Sequence, residues 1–298
     1  MPRALLFLAV LIGVLALAYL GIAVYVADRF ARPKRVALST TPAAFGLAYE
    51  HVEFRSAVDD ILLRGWFIPA TGGKTIVILH GRESARADEA AGIMPLASAL
   101  VRRGYNVLMF DFRGHGESNG NLYSLGQWEV RDVGGALSYL KSRGVANVGV
   151  LGYSMGAATA LLAAPEHPEI RAIVADAPFS DLSVMIDEQF PKATGLPRVF
   201  IPGVHLMVRL MHGLDLAENK PQRAMARLDD RPVMLIHGSS DDYIPVEHAY
   251  ALRRAGAGNP NLETWIAPGS GHVQSFNDHP DEYIARIASF FDRHLARV

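Results

Sequence analysis

The hydrophobic and polar positions divide the chain into one long apolar segment and a body in which short apolar runs alternate with helical patterns. Ala4 to Ala27 is 24 residues long and holds no charged residue. As a helix it would extend ~36 Å, whereas the hydrocarbon core of a bilayer is ~30 Å thick. The pattern therefore predicts a single N-terminal transmembrane helix over residues 1–30.

The same segment has the features of a cleaved signal peptide. Arg3 supplies a basic start, and Ala16-Leu17-Ala18 resembles a small-x-small cleavage site. The apolar region of a signal peptide usually runs ~7–15 residues, however, and here it continues past that site. We favour an uncleaved anchor, with a signal peptide as the alternative and a buried core helix as the least favoured interpretation.

Basic residues flank the segment unevenly. Only Arg3 precedes it, whereas Arg29, Arg32, Lys34 and Arg35 follow it. The positive-inside rule would place the body in the cytoplasm, but a large domain after one N-terminal span is also commonly exported. The sequence leaves the side of the membrane open. Residues 31–48 are expected to form a linker.

The body, residues 49–298, has the alternating pattern of β-α-β units and a mainly parallel sheet. His51–Arg55 and Ile61–Pro69 predict a leading antiparallel hairpin. Further predicted strands are Thr75–Leu79, Asn106–Phe110, Val148–Leu151, Ala172–Ala175, Val233–Ile236 and Glu263–Ile266. Predicted helices are Asp88–Arg103, Gln127–Ser142, Met155–Ala164, Glu247–Arg254 and Asp281–His294. We expect a twisted sheet of about eight strands with helices on both faces.

The segment at about 179–230 breaks this alternation. It is rich in large apolar residues, and Pro191, Pro197 and Pro202 interrupt it. Ligands of open α/β sheets bind at the carboxyl ends of the strands, where such an insertion could cover them. We predict a short apolar lid, with an ordinary crossover helix as the alternative.

Composition excludes several classes of protein. The 29 basic and 30 acidic residues give a net charge of −1, which offers no electrostatic basis for binding nucleic acid. The absence of cysteine excludes disulfides, zinc–thiolate sites and cysteine nucleophiles. The histidines lack metal-ligand spacing with carboxylates, so we expect no metal and no cofactor. The oligomeric state stays open.

A G-x-S-x-G motif, Gly152 to Gly156, lies between a predicted strand and a helix of small residues. The glycines allow a strained turn that exposes the hydroxyl of Ser154. A serine nucleophile needs a base, and the base needs an orienting acid. The loop from His237 to Pro245 and the loop ending at His272 each follow a later strand, so both open on the same sheet edge as Ser154.

These motifs in this order resemble the α/β-hydrolase superfamily, and within it the compact serine hydrolases related to Bem46 and the hydrolase domains of prolyl-oligopeptidase type. The resemblance spans Ile76 to His272. The matching segments are His80-Gly81, Asp111 to Ser118, Gly152 to Gly156, Gly238 to Pro245 and Gly271-His272.

The resemblance implies Ser154 as the nucleophile, His272 as the general base and acid, and Asp241 as the acid that orients His272. The neighbouring Asp242 is an alternative to Asp241. His237, His248 and His279 are alternatives to His272, and His237 occupies a position where the family often has a structural histidine.

Two backbone N–H groups should form an oxyanion hole. Met155, directly after the nucleophile, is the first, and we assign the second to Arg82 in the loop after Thr75–Leu79. The Arg82 side chain could gate the pocket, meet an anionic group or be solvated. Asp111 to Ser118 is rich in charge and glycine, and we interpret it as a structural loop in which Asp111 and Arg113 make local hydrogen bonds.

The resulting hypothesis is a membrane-tethered serine hydrolase that cleaves acyl esters or thioesters, with a small-molecule or lipid-like acyl substrate. A prolyl-oligopeptidase-type peptidase is the near alternative, although the roughly 40 residues between the anchor and the first strand leave no room there for a propeller domain. A non-catalytic binding protein is disfavoured because all three triad positions are filled.

Overall fold

The computed structural model describes residues 3–295, and within them the strands form one sheet of eight. The strands are β1 (Glu50–Arg55), β2 (Leu62–Ile68), β3 (Thr75–Leu79), β4 (Asn106–Phe110), β5 (Val148–Tyr153), β6 (Ile170–Asp176), β7 (Val233–Gly238) and β8 (Leu262–Ala267). Their order is β1-β2-β4-β3-β5-β6-β7-β8. The β1–β2 and β2–β4 pairs are antiparallel and the others parallel, which confirms the predicted hairpin and mainly parallel sheet.

Helices connect the strands and precede the sheet. They are α1 (Arg3–Ala31), α2 (Ile93–Arg102), α3 (Glu129–Ser142), α4 (Met155–Ala163), α5 (Leu182–Thr194), α6 (Ile201–His212), α7 (Pro221–Met225), α8 (Glu247–Ala255), α9 (Ser275–Asp278) and α10 (Pro280–His294). Ile76 and Ile78 of β3 share a buried cluster with residues of α2 and α10. Because side chains alternate along a strand, Val77 and Leu79 point to the opposite face, where α4 packs against β3.

The first helix of the body starts later than predicted. The pattern indicated Asp88–Arg103, but α2 begins at Ile93 because the residues before it form a turn. The backbone N–H of Ile93 donates to the carbonyl oxygen of Asp88, and Gly92 has a φ of 63°. A left-handed residue at this position ends the turn and separates it from the helix.

The chain divides into two compact units. One comprises residues 3–32 together with Leu182–Asn219, and the other comprises residues 33–181 and 220–295. Most of the insertion expected at 179–230 therefore belongs to the same unit as α1. Its role as a lid stays a prediction. Of its prolines, Pro191 lies inside α5 instead of breaking it, and Pro202 lies in the first turn of α6, where proline needs no donor.

In the first unit, α6 packs against the C-terminal half of α1. Residues 3–18 are exposed, whereas Ala23, Ala27 and Ala31 are buried at every fourth position. The α1 helix is long and apolar enough to cross a membrane: its most apolar 18-residue window has a mean hydropathy of 2.8 and is entirely unburied. A signal sequence has the same properties.

Candidate active site

Ser154 occupies a sharp turn between β5 and α4. Its φ of 51° and ψ of −114° are rarely adopted by residues other than glycine. The flanking glycines permit this turn, because a Cβ on Gly152 would lie 2.4 Å from the carbonyl oxygen of Gly156, and a Cβ on Gly156 would lie 2.4 Å from that of Leu79. The backbone N–H of Ser154 donates to the carbonyl oxygen of Asp176 at 2.8 Å.

The structure brings Ser154, His272 and Asp241 into one hydrogen-bonded chain. The Nε2 atom of His272 lies 3.0 Å from the Oγ atom of Ser154. Its Nδ1 atom lies 2.7 Å from the Oδ2 atom of Asp241. Because a carboxylate only accepts, the Nδ1–H group donates to Asp241, and Nε2 is left to accept from the serine hydroxyl.

Asp241 is held rigidly in its loop. Its Oδ1 atom accepts the backbone N–H groups of Tyr243 at 3.0 Å and Ile244 at 2.8 Å, so the other oxygen is left for His272. The side chain of Asp241 is buried, whereas Asp242 is exposed. Of the two candidate acids, the structure places Asp241 against His272.

The three alternative histidines contact backbone groups away from the serine hydroxyl. His237 is fully buried, and burial lowers its pKa. Their nitrogen atoms pair as follows: His237 Nε2 with the carbonyl oxygen of Ile244 at 2.7 Å, His248 Nδ1 with the N–H of Ser180 at 3.0 Å, and His279 Nε2 with the carbonyl oxygen of Pro268 at 2.9 Å. His237 thus braces the loop that carries Asp241.

The loop after β3 passes close to the nucleophile. A Cβ on Gly81 would lie 3.5 Å from the Cβ of Ser154. The N–H of Glu83 donates to the Nε2 atom of His115 at 3.3 Å. Within residues 3–295, by contrast, the backbone N–H groups of Arg82 and Met155 have no protein acceptor. The assignment of these two amides to an oxyanion hole stays a prediction.

A buried ionic network holds the loop after β3 in place. The Oδ1 atom of Asp111 accepts the backbone N–H of Arg86 at 2.7 Å, and its Oδ2 atom accepts that of Glu117 at 2.9 Å. The Arg86 guanidinium pairs with the carboxylates of Asp111 and Glu117, and it lies 4.3 Å from the ring centre of Trp66. A Cβ on Gly116 would overlap the Asp111 carboxylate. The hydrogen bonds expected of Asp111 are present, and they attach the loop from Asp111 to Ser118 to the loop after β3.

Arg113 is equally buried and pairs with the carboxylates of Asp132 and Asp59. Two buried histidines complete the network. Burial lowers the pKa of His80 to about 4 and that of His115 to about 3, so both are neutral near pH 7. The Nδ1–H group of His115 donates to the Arg113 carbonyl oxygen, which leaves Nε2 free to accept from Glu83. Sequence reasoning did not assign this role to His115.

The Arg82 side chain is 31% exposed and is held by neighbouring groups. Its guanidinium pairs with Glu83 at 2.9 Å and donates to the hydroxyl of Tyr243 at 3.3 Å. The ring of Tyr243 lies 4.9 Å from that of His272. Burial opposes the charge, but the Tyr123 and Tyr243 phenols and the Glu83 carboxylate raise the pKa of Arg82 above its ordinary value.

Asp176, at the end of β6, is a second residue that sequence reasoning missed. It is fully buried beside the nucleophile, whose N–H its carbonyl oxygen accepts. Burial raises the pKa of its carboxyl group to about 7. The hydroxyl of Tyr283 donates to its Oδ2 atom at 3.0 Å. A carboxylic acid directly after the apolar run Ala172–Ala175 was the available signal.

No group of three or more histidine, cysteine, aspartate or glutamate residues within residues 3–295 could hold a metal ion. A serine on a strand–helix turn, bonded to a histidine and an aspartate carried by loops after later strands, defines the α/β-hydrolase class. The profile of the prolyl oligopeptidase family matches residues 94–297. The chain belongs to this family.

Its sequence relatives include two proteins described as uncharacterized. YqkD of Bacillus subtilis is 29% identical over 238 residues, covering 77% of this chain and 75% of YqkD. YfhR of Escherichia coli K12 is 28% identical over 253 residues, covering 81% of this chain and 80% of YfhR.

Solved structures show the same fold. The Pyrococcus furiosus esterase Pf2001 is 29% identical, with a TM-score of 0.76 over 89% of this chain and 98% of the esterase. The Pyrococcus horikoshii acylaminoacyl peptidase, at 18% identity, has a TM-score of 0.64 over 85% of this chain and 42% of the peptidase. The family and the similarity to the esterase Pf2001 identify the chain as an enzyme, a serine hydrolase.

Proposed function

We propose that this chain is a membrane-anchored serine hydrolase that cleaves acyl esters or thioesters through an acyl-enzyme formed on Ser154. The observation that carries the proposal is the pair of hydrogen bonds that joins Ser154 to His272 at 3.0 Å and His272 to Asp241 at 2.7 Å. In this arrangement the histidine can take the serine proton, and the aspartate stabilises the imidazolium that results.

In the first half of the reaction, the Oγ atom of Ser154 attacks the acyl carbonyl carbon while Nε2 of His272 accepts its proton. The carbonyl oxygen becomes an oxyanion, which the N–H groups of Met155 and Arg82 stabilise. The intermediate collapses, the bond to the leaving alcohol or thiol breaks, and His272 returns the proton to that group. The acyl group stays on Ser154.

In the second half, His272 takes a proton from water, and the resulting hydroxide attacks the acyl carbon. This forms a second oxyanion, which the same two N–H groups stabilise. Collapse releases the carboxylic acid, and the proton on His272 restores the hydroxyl of Ser154. Asp241 stays ionised throughout and holds the ring in one tautomer.

Similarity to an esterase that the chain covers almost completely supports ester cleavage, because Pf2001 is 29% identical over 98% of its length. The family itself supports a second candidate, a serine peptidase. Both reactions use the same acyl-enzyme, so only the leaving group separates them. The proposed substrate is a small or lipid-like acyl compound.

A fluorophosphonate probe tests the nucleophile, since it reacts with an activated serine. We expect labelling of the wild-type chain and none of a folded Ser154→Ala variant. Turnover of p-nitrophenyl esters of increasing chain length, compared with p-nitroanilides of short peptides, then separates the candidates. Faster hydrolysis of the anilides would replace the esterase proposal by the peptidase.

Two features support an uncleaved anchor. The 29 residues of α1 would extend ~44 Å as a helix, more than a bilayer core requires. The residue directly after the small-x-small site is Tyr19, whose hydroxyl donates to the carbonyl oxygen of Val199 at 3.0 Å and accepts the N–H of Gly203 at 3.1 Å. Cleavage after Ala18 would remove the helix that positions this tyrosine.

The mass of the chain isolated from membranes tests the anchor. We expect the full-length mass and resistance to extraction by alkaline carbonate. A soluble chain that begins at Tyr19 would show instead that the segment is a signal peptide.

A further inference from the structure

The exposed apolar side chains are concentrated in one unit of the chain. Within residues 3–295, every exposed large hydrophobic side chain except Val36, Val58 and Tyr250 belongs to α1 or to the segment 182–219. Single exposed apolar residues are normal on a soluble surface, but a concentration of them marks a contact with another apolar phase. The segment 182–219 therefore needs a partner of its own.

The α6 helix is apolar on opposite sides. Ile201, Val204 and Val208 are buried at helical spacing, whereas Leu206 is 50% exposed and Leu210 is 68% exposed. A helix that covers a protein core normally turns a polar face outward, and one that is apolar all round is enclosed by protein or by lipid. The buried side already has its protein contacts, so the outward side requires a second apolar environment.

Three of the exposed residues in this segment lie along one line. Val199, just before α6, is 65% exposed and precedes Leu206 by seven residues, and Leu210 follows Leu206 by four. These spacings place side chains on one face of a helix. We call Val199, Leu206 and Leu210 the outer stripe.

The start of α6 lies level with one point on α1. Besides its hydrogen bonds to Val199 and Gly203, Tyr19 stacks on Phe200 with ring centres 5.0 Å apart. The exposed residues 3–18 extend ~24 Å as a helix, so a hydrocarbon core of ~30 Å would end about one turn beyond Tyr19. Tyrosine is enriched at that boundary. With the hydrocarbon core beginning at Arg3, Val199 would lie at the depth where acyl chains meet headgroups.

We propose that the phospholipid bilayer covers the outer stripe, so that the insertion contacts the membrane as a second element beside α1. This inference rests on the proposed membrane anchor and adds to it a face that the anchor alone does not require. Arg209, adjacent to Leu210, pairs with Asp215 at 3.5 Å and is 70% exposed, so its guanidinium remains accessible to a headgroup while its stem covers apolar surface.

The natural absence of cysteine makes the test direct, because one introduced cysteine is the only labelling site. Val199→Cys and Leu210→Cys carry a nitrobenzoxadiazole fluorophore in the full-length chain, reconstituted in vesicles of phosphatidylcholine and phosphatidylglycerol. Val58→Cys is the matched control, since Val58 is an apolar residue of the other unit with 75% exposure. All three side chains are exposed, so the substitutions leave the packed core intact.

We expect doxyl-labelled phosphatidylcholine to quench the labels at 199 and 210 at least about twofold more than the label at 58, because interfacial helices bury their apolar face ~5–10 Å into the headgroup and acyl boundary. Aqueous iodide should show the reverse order. Iodide quenching at 199 and 210 equal to that at 58 would overturn the inference. Protection from both quenchers would overturn it too, since it would show that protein, such as a second copy of the chain, covers the stripe.

Two readouts in the same vesicles separate this inference from the proposed function. A chain that does not float with vesicles would overturn both the anchor and the lipid contact. A chain that floats with an aqueous outer stripe would overturn the lipid contact alone. Fluorophosphonate labelling of Ser154 reports on the hydrolase independently, so its loss with intact lipid quenching would contradict only the catalytic proposal.

Discussion

Asp241 accepts three hydrogen bonds and divides them between its two oxygens, with the bond from His272 at 2.7 Å on Oδ2, where the Nε2 atom of His237 also lies at 3.4 Å. The backbone of the loop therefore fixes the carboxylate, and the carboxylate fixes the imidazole. Asp241 is buried and Asp242 is exposed, so the residue whose carboxylate the loop holds is also the one that reaches His272.

Replacing Asp241 by asparagine should lower kcat for an ester substrate by about 10⁴-fold, because the amide can donate to Nδ1 and thereby select the wrong tautomer of His272. Asp242→Asn is the matched control and should retain activity within about threefold, as an exposed position is generally tolerant of change. Steady-state kinetics on both variants check this. Loss of activity in the Asp242 variant alone would reassign the acid.

Much of the fold could be predicted because apolar runs and turn residues are local signals. The bounds of β3 and β4 agree with the prediction to the residue, since each run is ended by polar residues or glycine. The start of α2 could not be predicted in this way, because its turn depends on the left-handed Gly92 and on the hydrogen bond between Ile93 and Asp88.

The loops that carry the serine, histidine and aspartate could be located from motif order, since each follows a strand at the same sheet edge, and the family resemblance then indicated the three residues. The supporting residues could not. His115 accepts the N–H of Glu83, which is 32 residues away in the sequence, and Asp176 accepts the hydroxyl of Tyr283, which is 107 residues away. Pairs this distant in sequence leave no periodic pattern, and their meaning depends on burial that only the folded chain provides.

The contact between His115 and Glu83 should matter for catalysis. Phenylalanine at position 115 keeps a ring of similar size but removes the acceptor for the Glu83 N–H, which frees the loop that carries the Arg82 amide. Because removing one oxyanion donor costs about 10²–10³-fold in kcat, we expect a loss of up to about 10²-fold for His115→Phe with little change in KM.

Separate measurements distinguish positioning from instability in this variant. The fluorophosphonate labelling rate should fall together with kcat, since the probe also uses the oxyanion hole, while the variant stays folded by circular dichroism. Unchanged kcat in a folded His115→Phe chain would show that His115 does not position the loop.

The raised pKa of Asp176 makes the free energy of unfolding depend on pH. Its carboxyl group has an ordinary pKa of 3.8 and a folded pKa of about 7, because burial disfavours the charged form. The folded state thus holds a proton that the unfolded state releases, so this contribution is complete below pH 3.8 and is lost as pH rises towards 7. The maximal slope for one group is about 1.4 kcal/mol per pH unit.

Asp176→Asn removes this titration while keeping an oxygen for the Tyr283 hydroxyl. Urea unfolding at several values between pH 4.5 and 7.5 should show the stability advantage of the wild-type chain over the variant shrinking as pH rises. A constant difference across that range would mean that the carboxyl group does not titrate there.

Gly203 lies directly against Tyr19, where α6 contacts α1. A Cβ at this position would lie 2.6 Å from both Cε1 and the hydroxyl oxygen of Tyr19, so Gly203→Ala should force the two helices apart and cost about 1–3 kcal/mol, as overpacking generally does. Gly13→Ala is the control, because a Cβ there meets no atom within 4 Å. Limited proteolysis of the detergent-solubilised chain should cut within 182–219 faster in Gly203→Ala, and at an unchanged rate in Gly13→Ala.

A double variant tests whether Gly203 and Tyr19 are coupled. Tyr19→Ala removes the ring that the new methyl group meets, so Gly203→Ala should raise the cleavage rate less in the Tyr19→Ala background than in the wild-type background. Equal effects in both backgrounds would show that Gly203 and Tyr19 are not coupled and that the helices are held together elsewhere.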